Sequence, residues 1–312
     1  MSEKWNTKTV SLPYWFGEIC LFRRSFNLHV TNVDFLNRPS EDPSLLKPYN
    51  TEMAQDADGY MLHSVPLDHG RPNFWNEDGY VKYITKFYNH YYIDLDLTYE
   101  QYLAGFSSKT RSTLKRKIRK FEKLCNGDID WRSYSTTEEM SEFHRIAREI
   151  SKNTYQEKLL DAGLPDTEEF CADMLERARN GDVRGYILFW ESRPISYLYT
   201  PIENGRFIYA YLGYLPDVSK YSPGIVLQFK VLEHLFSSKE GKIFDFTEGQ
   251  SDQKKLFSTN YVYCGNLLCL KYTAANYFWL QLNRLTNKLS TSLGNFLDRM
   301  GLKKTIKKFL RK

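Results

Sequence analysis

Three of the ionisable residues in the segment DFTEGQSDQKKLF, which begins at Asp245, are candidates for chemistry. Asp245 ends a short predicted strand over residues 242–246, and ligands of α/β folds gather where such strands end. Its carboxylate could orient a substrate or a base, or it could cap the helix after Gly249. Glu248 lies in the same turn and is a plausible general base. Lys254 could bind a phosphate or stabilise developing negative charge, or it could simply face solvent.

The tripeptide Ser222-Pro223-Gly224 predicts the start of a helix, because serine is a favoured N-cap and proline a favoured first helical residue. The unpaired N–H groups of a helix N-terminus and the helix dipole together favour a bound phosphate. The candidate phosphate donors are therefore the backbone N–H groups of Ser222, Gly224, Ile225 and Val226. The plainer alternative is an ordinary helix start without a ligand.

Other catalytic patterns are missing from the sequence. It contains no HExxH motif, no GxxxxGK[ST] phosphate loop, and no ordered Ser-His-Asp or Cys-His set. The five cysteines are scattered and odd in number, without a CxxC pair, which predicts reduced thiols and no metal site. His144 is alone on a predicted helix, where a structural role is the better interpretation. Hydrolases, zinc enzymes and P-loop nucleotide hydrolases are therefore disfavoured.

Composition and charge indicate a folded globular chain whose basic residues are concentrated in two places. The 312 residues are 42% hydrophobic and 16% aromatic, with a net charge of +5. One basic cluster lies between Lys109 and Lys123, and it is either a solvated helix face or a rim that helps to hold phosphates. No aromatic stacking platform accompanies it, so nucleic acid is an unlikely partner. The other cluster lies in the last ten residues.

The two ends of the chain bear on its location. The N-terminal sequence MSEKWNTKTV has no apolar core of a signal peptide, and no apolar run reaches the ~18 residues of a spanning helix. We therefore predict a cytoplasmic protein. The C-terminal segment LKKTIKKFLRK is cationic and amphipathic. It is either a frayed, solvated tail or a contact with an anionic membrane surface or partner at the inner membrane face.

The predicted elements fall into four regions of the chain. Residues 1–97 are rich in strand signals with irregular joints, and residues 98–127 contain a basic helix or helix pair. Residues 128–272 alternate strands and helices, with strands predicted at 207–214 and 261–271, and residues 273–312 form a helix and the basic tail. The order predicts an α/β protein with a mixed sheet and helices on both faces.

The segments SPGIVL and DFTEGQSDQKKLF resemble the acetyltransferase domain of CelD/BcsL-type proteins, a branch of the GNAT acyltransferase superfamily associated with polysaccharide biosynthesis. The resemblance covers about residues 100–272 and departs from the family pattern at Thr247, where glycine is usual, and at Gln253, where tyrosine is usual. The matching positions are Ser222, Pro223, Gly224, Leu227, Asp245, Phe246, Gly249 and Lys254.

This resemblance implies a GNAT fold, in which the sheet opens between the fourth and fifth strands to admit acyl-CoA. It implies transfer of an acyl group, with acetyl the expected one, to a hydroxyl or amine of a sugar or polysaccharide precursor. Tyr155 and Gln156 resemble a family segment expected near the acceptor. With Gln253 in place of tyrosine, the role of acid for the leaving thiolate is open or passes to Tyr261 or Tyr263. Residues 1–97 could be a degenerate half of a doubled GNAT fold.

Two other functions are compatible with these residues. FemABX-like proteins share the doubled fold but take an aminoacyl group from tRNA. They also carry an inserted helical arm in the second half, and residues 128–271 contain no such insertion. The second alternative is a catalytically silent domain that binds a ligand or recruits a biosynthetic complex. The departures at Thr247 and Gln253 keep this alternative open.

Overall fold

The computed structural model describes residues 5–17, 19–37, 57–154, 157 and 163–299, with the backbone alone for 293–299. Tyr155, Gln156 and the C-terminal segment from Leu302 to Lys312 lie outside the described residues. The chain divides into two compact units: unit 1 comprises residues 1–89 and 262–312, and unit 2 comprises residues 90–261. The predicted boundaries near residues 97, 127 and 272 stay a prediction.

The strands in chain order are β1 (Asn6–Phe16), β2 (Ile19–Asn32), β3 (Gly59–Pro66), β4 (Phe74–Glu77), β5 (Tyr80–Asp94), β6 (Trp131–Tyr134), β7 (Val183–Trp190), β8 (Arg193–Glu203), β9 (Arg206–Ile208), β10 (Tyr211–Tyr214), β11 (Ile243–Asp245) and β12 (Asn260–Lys271). The helices are α1 (Tyr99–Ala104), α2 (Ser108–Leu124), α3 (Thr137–Ser151), α4 (Glu168–Arg179), α5 (Pro223–Ser238), α6 (Asp252–Phe257) and α7 (Ala274–Arg299), with a 3₁₀ helix at Pro216–Tyr221.

Unit 1 is built on a sheet with the strand order β1-β2-β3-β12-β5. Alternating residues of β2, namely Phe26, Leu28 and Val30, are buried, as the period of two along a strand requires. The prediction that this region is rich in strands is confirmed. Helix α7 lies against β1, where the amide of Asn283 donates to the carbonyl of Pro13 at 2.8 Å.

Unit 2 contains the strand order β5-β11-β9-β8-β7-β6, with β10 paired to β8. Strands β6 to β9 are antiparallel neighbours, whereas β9 and β11 run parallel because α5 connects them. Helices α3, α4 and α5 pack against this sheet. The predicted order of strands and helices, and with it the mixed α/β fold class, is confirmed.

Two tight turns fix the antiparallel strands of unit 2. Glu191 and Ser192, between β7 and β8, both have positive φ angles, of 50° and 64°. Asn204 and Gly205, between β8 and β9, have φ angles of 54° and 77°. Two consecutive residues with positive φ form the type I′ turn that matches the twist of a hairpin.

Among the described helices of unit 2, α5 has the most buried residues. Its apolar residues Leu227, Val231 and Leu235 recur at the spacing of one helix face, and each is fully buried. Val226, Leu232 and Phe236 are buried beside them, so packing holds the helix and its N-terminus in a fixed position. In the part of the chain that the structure describes, no helix combines the length and apolarity needed to cross a bilayer.

Candidate active site

The central feature of unit 2 is a divergence between two strands. Strands β9 and β11 pair in parallel, and the N–H of Tyr209 donates to the carbonyl of Asp245 at 2.8 Å. Beyond this point the N–H of Ala210 donates to Tyr199 on β8, and β10 pairs with β8 alone among the described strands. On the other side, the N–H of Phe246 donates to Tyr91 on β5. The sheet therefore opens between β10 and the segment after β11.

Helix α5 begins beside this opening. A Cβ atom at Gly224 would meet Leu212 at 3.0 Å and Tyr214 at 3.3 Å, so the first turn of α5 lies directly on β10. Glycine at this position is thus explained by close packing of helix on strand, and the phosphate explanation is not needed for it. Ser222, with a φ of 56°, turns the chain from the 3₁₀ helix into α5, and its side chain makes no cap hydrogen bond.

The four predicted phosphate donors differ in their hydrogen bonding. The N–H of Ser222 donates to Ser219, and the N–H groups of Ile225 and Val226 both donate to the carbonyl of Ser222. Only the N–H of Gly224 makes no hydrogen bond to any residue that the structure describes. The N-terminus of α5 and the helix dipole still favour a bound anion, but only one of the four predicted N–H groups is available to donate a hydrogen bond to it.

Two lysine side chains lie at the loop that leads into α5. The Nζ atom of Lys120 on α2 is 3.5 Å from the carbonyl oxygen of Lys220, in the 3₁₀ helix. Lys120 and Lys220 each place their ammonium group 5.0 Å from the centre of the Tyr221 ring. Both lysines are exposed, so their charge is available to a ligand. The cations on the same groove of α2 are Arg111, Lys115, Arg116, Arg119, Lys120 and Lys123.

Asp245 lies at the end of β11 in a buried polar network. Its Oδ1 atom is 2.6 Å from the Nε2 atom of His90 and accepts a hydrogen bond from the N–H of Thr247 at 2.7 Å. Its Oδ2 atom is 3.7 Å from the Nε atom of Arg206. Asp245 is only 3% exposed. These contacts indicate that Asp245 fixes the turn after β11 and so positions the residues that follow it.

This network leads to a stability prediction. Replacing Asp245 with alanine leaves His90 and the N–H of Thr247 without their shared buried acceptor, so we expect the free energy of unfolding to fall by about 3 kcal/mol. Asp245→Asn keeps an acceptor oxygen for Thr247 and should lose less. Urea unfolding of both variants measures the difference. Equal losses would show that the carboxylate does not hold the turn through these bonds.

Thr247, one of the two departures from the family pattern, has a φ angle of 62°. Glycine adopts this left-handed conformation without strain, whereas a β-branched residue does not. The side chain of Lys254 stabilises the turn, because its Nζ atom donates to the carbonyl of Glu248 at 2.8 Å and lies 3.4 Å from the carbonyl of Thr247. The usual glycine is thus explained by backbone conformation, and threonine here keeps the same turn at a cost in strain.

We therefore expect Thr247→Gly to raise the free energy of unfolding by about 0.5 kcal/mol, because relief of the left-handed strain exceeds the entropy cost of glycine. Thr113→Gly, within α2, should instead lower it by about 0.5 kcal/mol, as glycine does in a helix. Urea unfolding compares the two variants. A loss of stability at Thr247 as large as that at Thr113 would contradict the strain argument.

The other predicted acid and base residues lie in different environments. Glu248 is exposed in the turn that Asp245 and Lys254 hold. Tyr261, in unit 2, is 56% exposed, whereas Tyr263 belongs to unit 1, where its ring stacks on His69 at 4.2 Å. Sequence reasoning missed Tyr209, which lies where the strands diverge and packs against Phe244 and Phe246. Burial raises the pKa of Tyr209, so its hydroxyl stays protonated near neutral pH.

The residues on either side of Tyr155 and Gln156 are firmly held. Thr154 is buried, and its hydroxyl donates to the carbonyl of Ser151 and accepts from the N–H of Glu157. The carboxylate of Glu157 binds both terminal nitrogens of Arg148, at 2.7 and 2.9 Å. A Cβ atom at Gly213 would lie 3.0 Å from Thr154. The segment predicted to contact the acceptor therefore follows a residue that packs against β10.

His144, Asp166 and Cys171 form a cluster whose ligand atoms all lie within 4.8 Å of one another. The Nε2 atom of His144 is 2.9 Å from the carbonyl oxygen of Pro165, so this nitrogen serves as a donor and offers no lone pair to a metal. Burial and the charge of Asp166 raise the pKa of the Cys171 thiol, which keeps it protonated. The geometry therefore gives His144 a structural role in holding the segment before α4.

Comparison with known proteins defines the class to which this site belongs. Residues 108–255 match the family model described as "Acetyltransferase (GNAT) domain". These residues contain α2, the diverging strands, the start of α5 and the turn after β11. The match covers slightly less than half of the chain and, together with the mixed α/β fold, supports an acyl-CoA-dependent acyltransferase. No curated protein has a sequence that matches this chain.

Solved structures with the same fold extend over most of the chain. FemX is 12% identical and has a TM-score of 0.53, with 88% of this chain and 90% of FemX covered. The C-terminal domain (DUF2156) of a protein described as a lysylphosphatidylglycerol synthetase from Agrobacterium fabrum is 9% identical and has a TM-score of 0.53, with 82% of this chain and 84% of that domain covered. At such identities the likeness shows the fold alone.

Proposed function

We propose that this protein transfers an acyl group, and specifically an acetyl group, from acyl-CoA directly to a hydroxyl or amine of a sugar or polysaccharide precursor. The observation that carries the donor part is the opening between β10 and β11 beside the N-terminus of α5. An open strand edge can hydrogen-bond the amide groups of the pantetheine arm, while the helix start receives the pyrophosphate. The acceptor part rests on the resemblance to CelD/BcsL-type proteins.

Lys120 and Lys220 complete the donor site in this proposal. The N–H of Gly224 supplies one hydrogen bond, and the two exposed lysines at the loop before α5 supply positive charge. Ammonium groups bind phosphate strongly because the hydrogen bond is charge-assisted. The basic face of α2 thereby gains a function as the rim of the donor site.

Gln228 is a further candidate for the donor site. It lies one helical turn after Gly224 on the same side of α5, and it is fully buried. Neither atom of its side-chain amide has a hydrogen-bond partner among the described residues. An unsatisfied buried amide is costly, and an amide of the pantetheine arm would satisfy both atoms. This residue would orient the donor without taking part in the chemistry.

The acceptor reaction needs a base and a polarised carbonyl. Glu248 is the base in this proposal, held in the turn that Asp245 and Lys254 stabilise. The protonated hydroxyl of Tyr209 is the candidate acid for the leaving thiolate. Tyr209 would thus take the role of the tyrosine that the family has where this chain has Gln253. Tyr155 and Gln156 are the proposed acceptor contacts, since Thr154 begins their segment beside β10.

Calorimetry with a panel of donors tests the proposal. CoA and acetyl-CoA should bind, dephospho-CoA should lose little affinity, and pantetheine, which lacks the pyrophosphate, should bind poorly. Release of free thiol from acetyl-CoA, followed with a panel of sugars and amino sugars, then identifies the acceptor. Donor binding without turnover on any acceptor would favour the silent binding domain. If none of the CoA compounds binds, the donor assignment is wrong.

An aminoacyl-tRNA donor is the second candidate, and the observation in its favour is the row of six cations along the groove of α2. A polyanion would bind such a surface with strong salt dependence. Titration with unacylated tRNA in parallel with CoA separates the two candidates. Binding of tRNA alone, weakened steeply by salt, would favour a FemABX-like transfer.

A further inference from the structure

The exposed apolar residues of unit 1 are concentrated on one surface. Twelve large hydrophobic residues are exposed in the part of the chain that the structure describes, and seven of them lie on α7 or at the tip of the β1–β2 hairpin. Each of the seven is between 41% and 58% exposed. They are Phe16, Ile19, Leu21, Phe22, Phe278, Leu285 and Leu289. We call this surface the apolar face.

The helix part of the apolar face is a stripe on the side of α7 that points away from the sheet. Phe278, Leu285 and Leu289 share one side of the helix, because they are spaced by seven and four residues. The opposite side contains Leu280 and Asn283, which are buried against unit 1. A helix that exposes an apolar stripe after its other side is already packed has a surface suited to a second contact.

The hairpin tip lies next to this stripe. The N–H of Gly17, in the turn, donates to the hydroxyl of Ser290, which itself donates to the carbonyl of Trp15 at 2.7 Å. The ring of Phe22 lies 5.9 Å from that of Trp279, in an edge-on arrangement. Because Ser290 follows Leu289 and Trp279 follows Phe278, the two groups of apolar residues adjoin.

Basic residues outnumber acidic ones in the segments that carry the apolar face, although the sequence has Glu18 between Gly17 and Ile19 at the hairpin tip. Arg284 and Lys288 are the only charged residues of α7 up to Ser292, and Arg23 is exposed beside the hairpin tip. Residues 273–312 contain nine lysines and arginines against one acidic residue, a net charge of +8. The whole chain carries only +5, so the other 272 residues are net negative by three charges. The basic surplus of the protein therefore belongs to the part of the chain that carries the stripe.

We infer that the apolar face inserts into the headgroup region of an anionic lipid bilayer. Apolar side chains flanked by lysine and arginine, with aromatic rings at the edge, are the composition of interfacial membrane contacts. A second copy of the chain is the poorer occupant, because two surfaces of the same positive charge repel each other. The inference does not rest on the proposed enzymatic function.

Flotation with lipid vesicles tests this inference on the full chain. Wild type should bind vesicles of phosphatidylcholine with about 30% phosphatidylglycerol, and should bind much more weakly to phosphatidylcholine alone or at high salt. The variant Phe278→Gln/Leu285→Gln/Leu289→Gln should lower the partition coefficient about a hundredfold, since binding scales with the apolar area that enters the bilayer. Leu36→Gln, an exposed leucine of unit 1 outside the apolar face, should bind like wild type.

A second variant guards against a folding defect in the first. Ile19→Thr/Leu21→Thr changes the hairpin tip alone, keeps residues that favour strands, and should lower the partition coefficient about tenfold. Both variants should keep the circular-dichroism spectrum and melting temperature of wild type. Replacing Lys303, Lys304, Lys307 and Lys308 with glutamine separates the contribution of the tail.

Three results would overturn the inference. The first is unchanged vesicle binding by both apolar variants. The second is loss of binding from the tail variant alone, which would assign the membrane contact to the tail. The third is a self-association equilibrium in wild type that the helix variant abolishes while vesicles stay unbound, which would assign the apolar face to a second copy.

Discussion

Replacing Lys120 and Lys220 together with glutamate should lower the affinity of the protein for CoA about a hundredfold. Each lysine at the loop before α5 can make one charge-assisted bond to a phosphate, and a bond of this kind is worth roughly 1.5 kcal/mol, or about tenfold in affinity. The glutamates add repulsion of the phosphates. Both positions are exposed, so the fold should be unaffected.

Calorimetry measures this effect, with Lys109→Glu as the matched control. Lys109 is exposed on the same helix, α2, but does not line its basic groove. The deficit of the double variant should shrink in about 1 M salt, where the Debye length is about 3 Å. Equal affinities of wild type and the double variant would place the phosphates elsewhere. An equal loss from Lys109→Glu would point to the general charge of α2 and not to a site.

This choice of residues shows what the sequence could not provide. Gly224 is the natural target on sequence grounds, because glycine permits close approach of a ligand. In the structure, however, a side chain at this position points at Leu212 and Tyr214. A bulky substitution at Gly224 would therefore disturb the packing of α5 on β10 as well as any ligand. The neighbours that a Cβ atom would meet at this position depend on tertiary packing, and they cannot be deduced from the local pattern Ser-Pro-Gly.

The opening in the sheet illustrates the same limit. The run from Phe207 to Tyr214 is rich in strand-forming residues, and it predicts one strand. The structure has two strands, β9 and β10, because the chain changes partners at Tyr209 and Ala210. Strand propensity is a property of the run itself, whereas the change of partner is set by residues far along the chain. The opening of the sheet was predicted from the family resemblance, and strand propensity alone does not predict it.

Long-range partners of the predicted site residues were likewise beyond reach. Asp245 was predicted from its place at the end of a strand, but its partner His90 lies 155 positions earlier and carries no motif. The departure at Thr247 kept the silent-domain alternative open, whereas its φ of 62° shows that this position has a left-handed backbone, which favours glycine. The order of helices and strands, by contrast, follows from periodicity and turn residues, and it was predicted correctly.

Replacing Glu248 with glutamine should lower kcat about a hundredfold with little change in the affinity for CoA. Removal of a general base costs this much or more, and the turn itself is held by other atoms, namely the Asp245 carboxylate and the Lys254 ammonium group. Melting temperature should match that of wild type.

Two comparisons decide whether Glu248 has this role. Glu176→Gln, an exposed glutamate on α4 outside the site, should keep full activity. Lys254→Met frees the carbonyls of Thr247 and Glu248, so it should loosen the turn and lower kcat together with the melting temperature, which marks Lys254 as a positioning residue. If Glu248→Gln instead keeps most of its activity while His144→Gln or Asp245→Asn loses it at unchanged stability, the base lies at that other residue. In that case the exposed turn after β11 lines the acceptor site, and Glu248 does not act as the base.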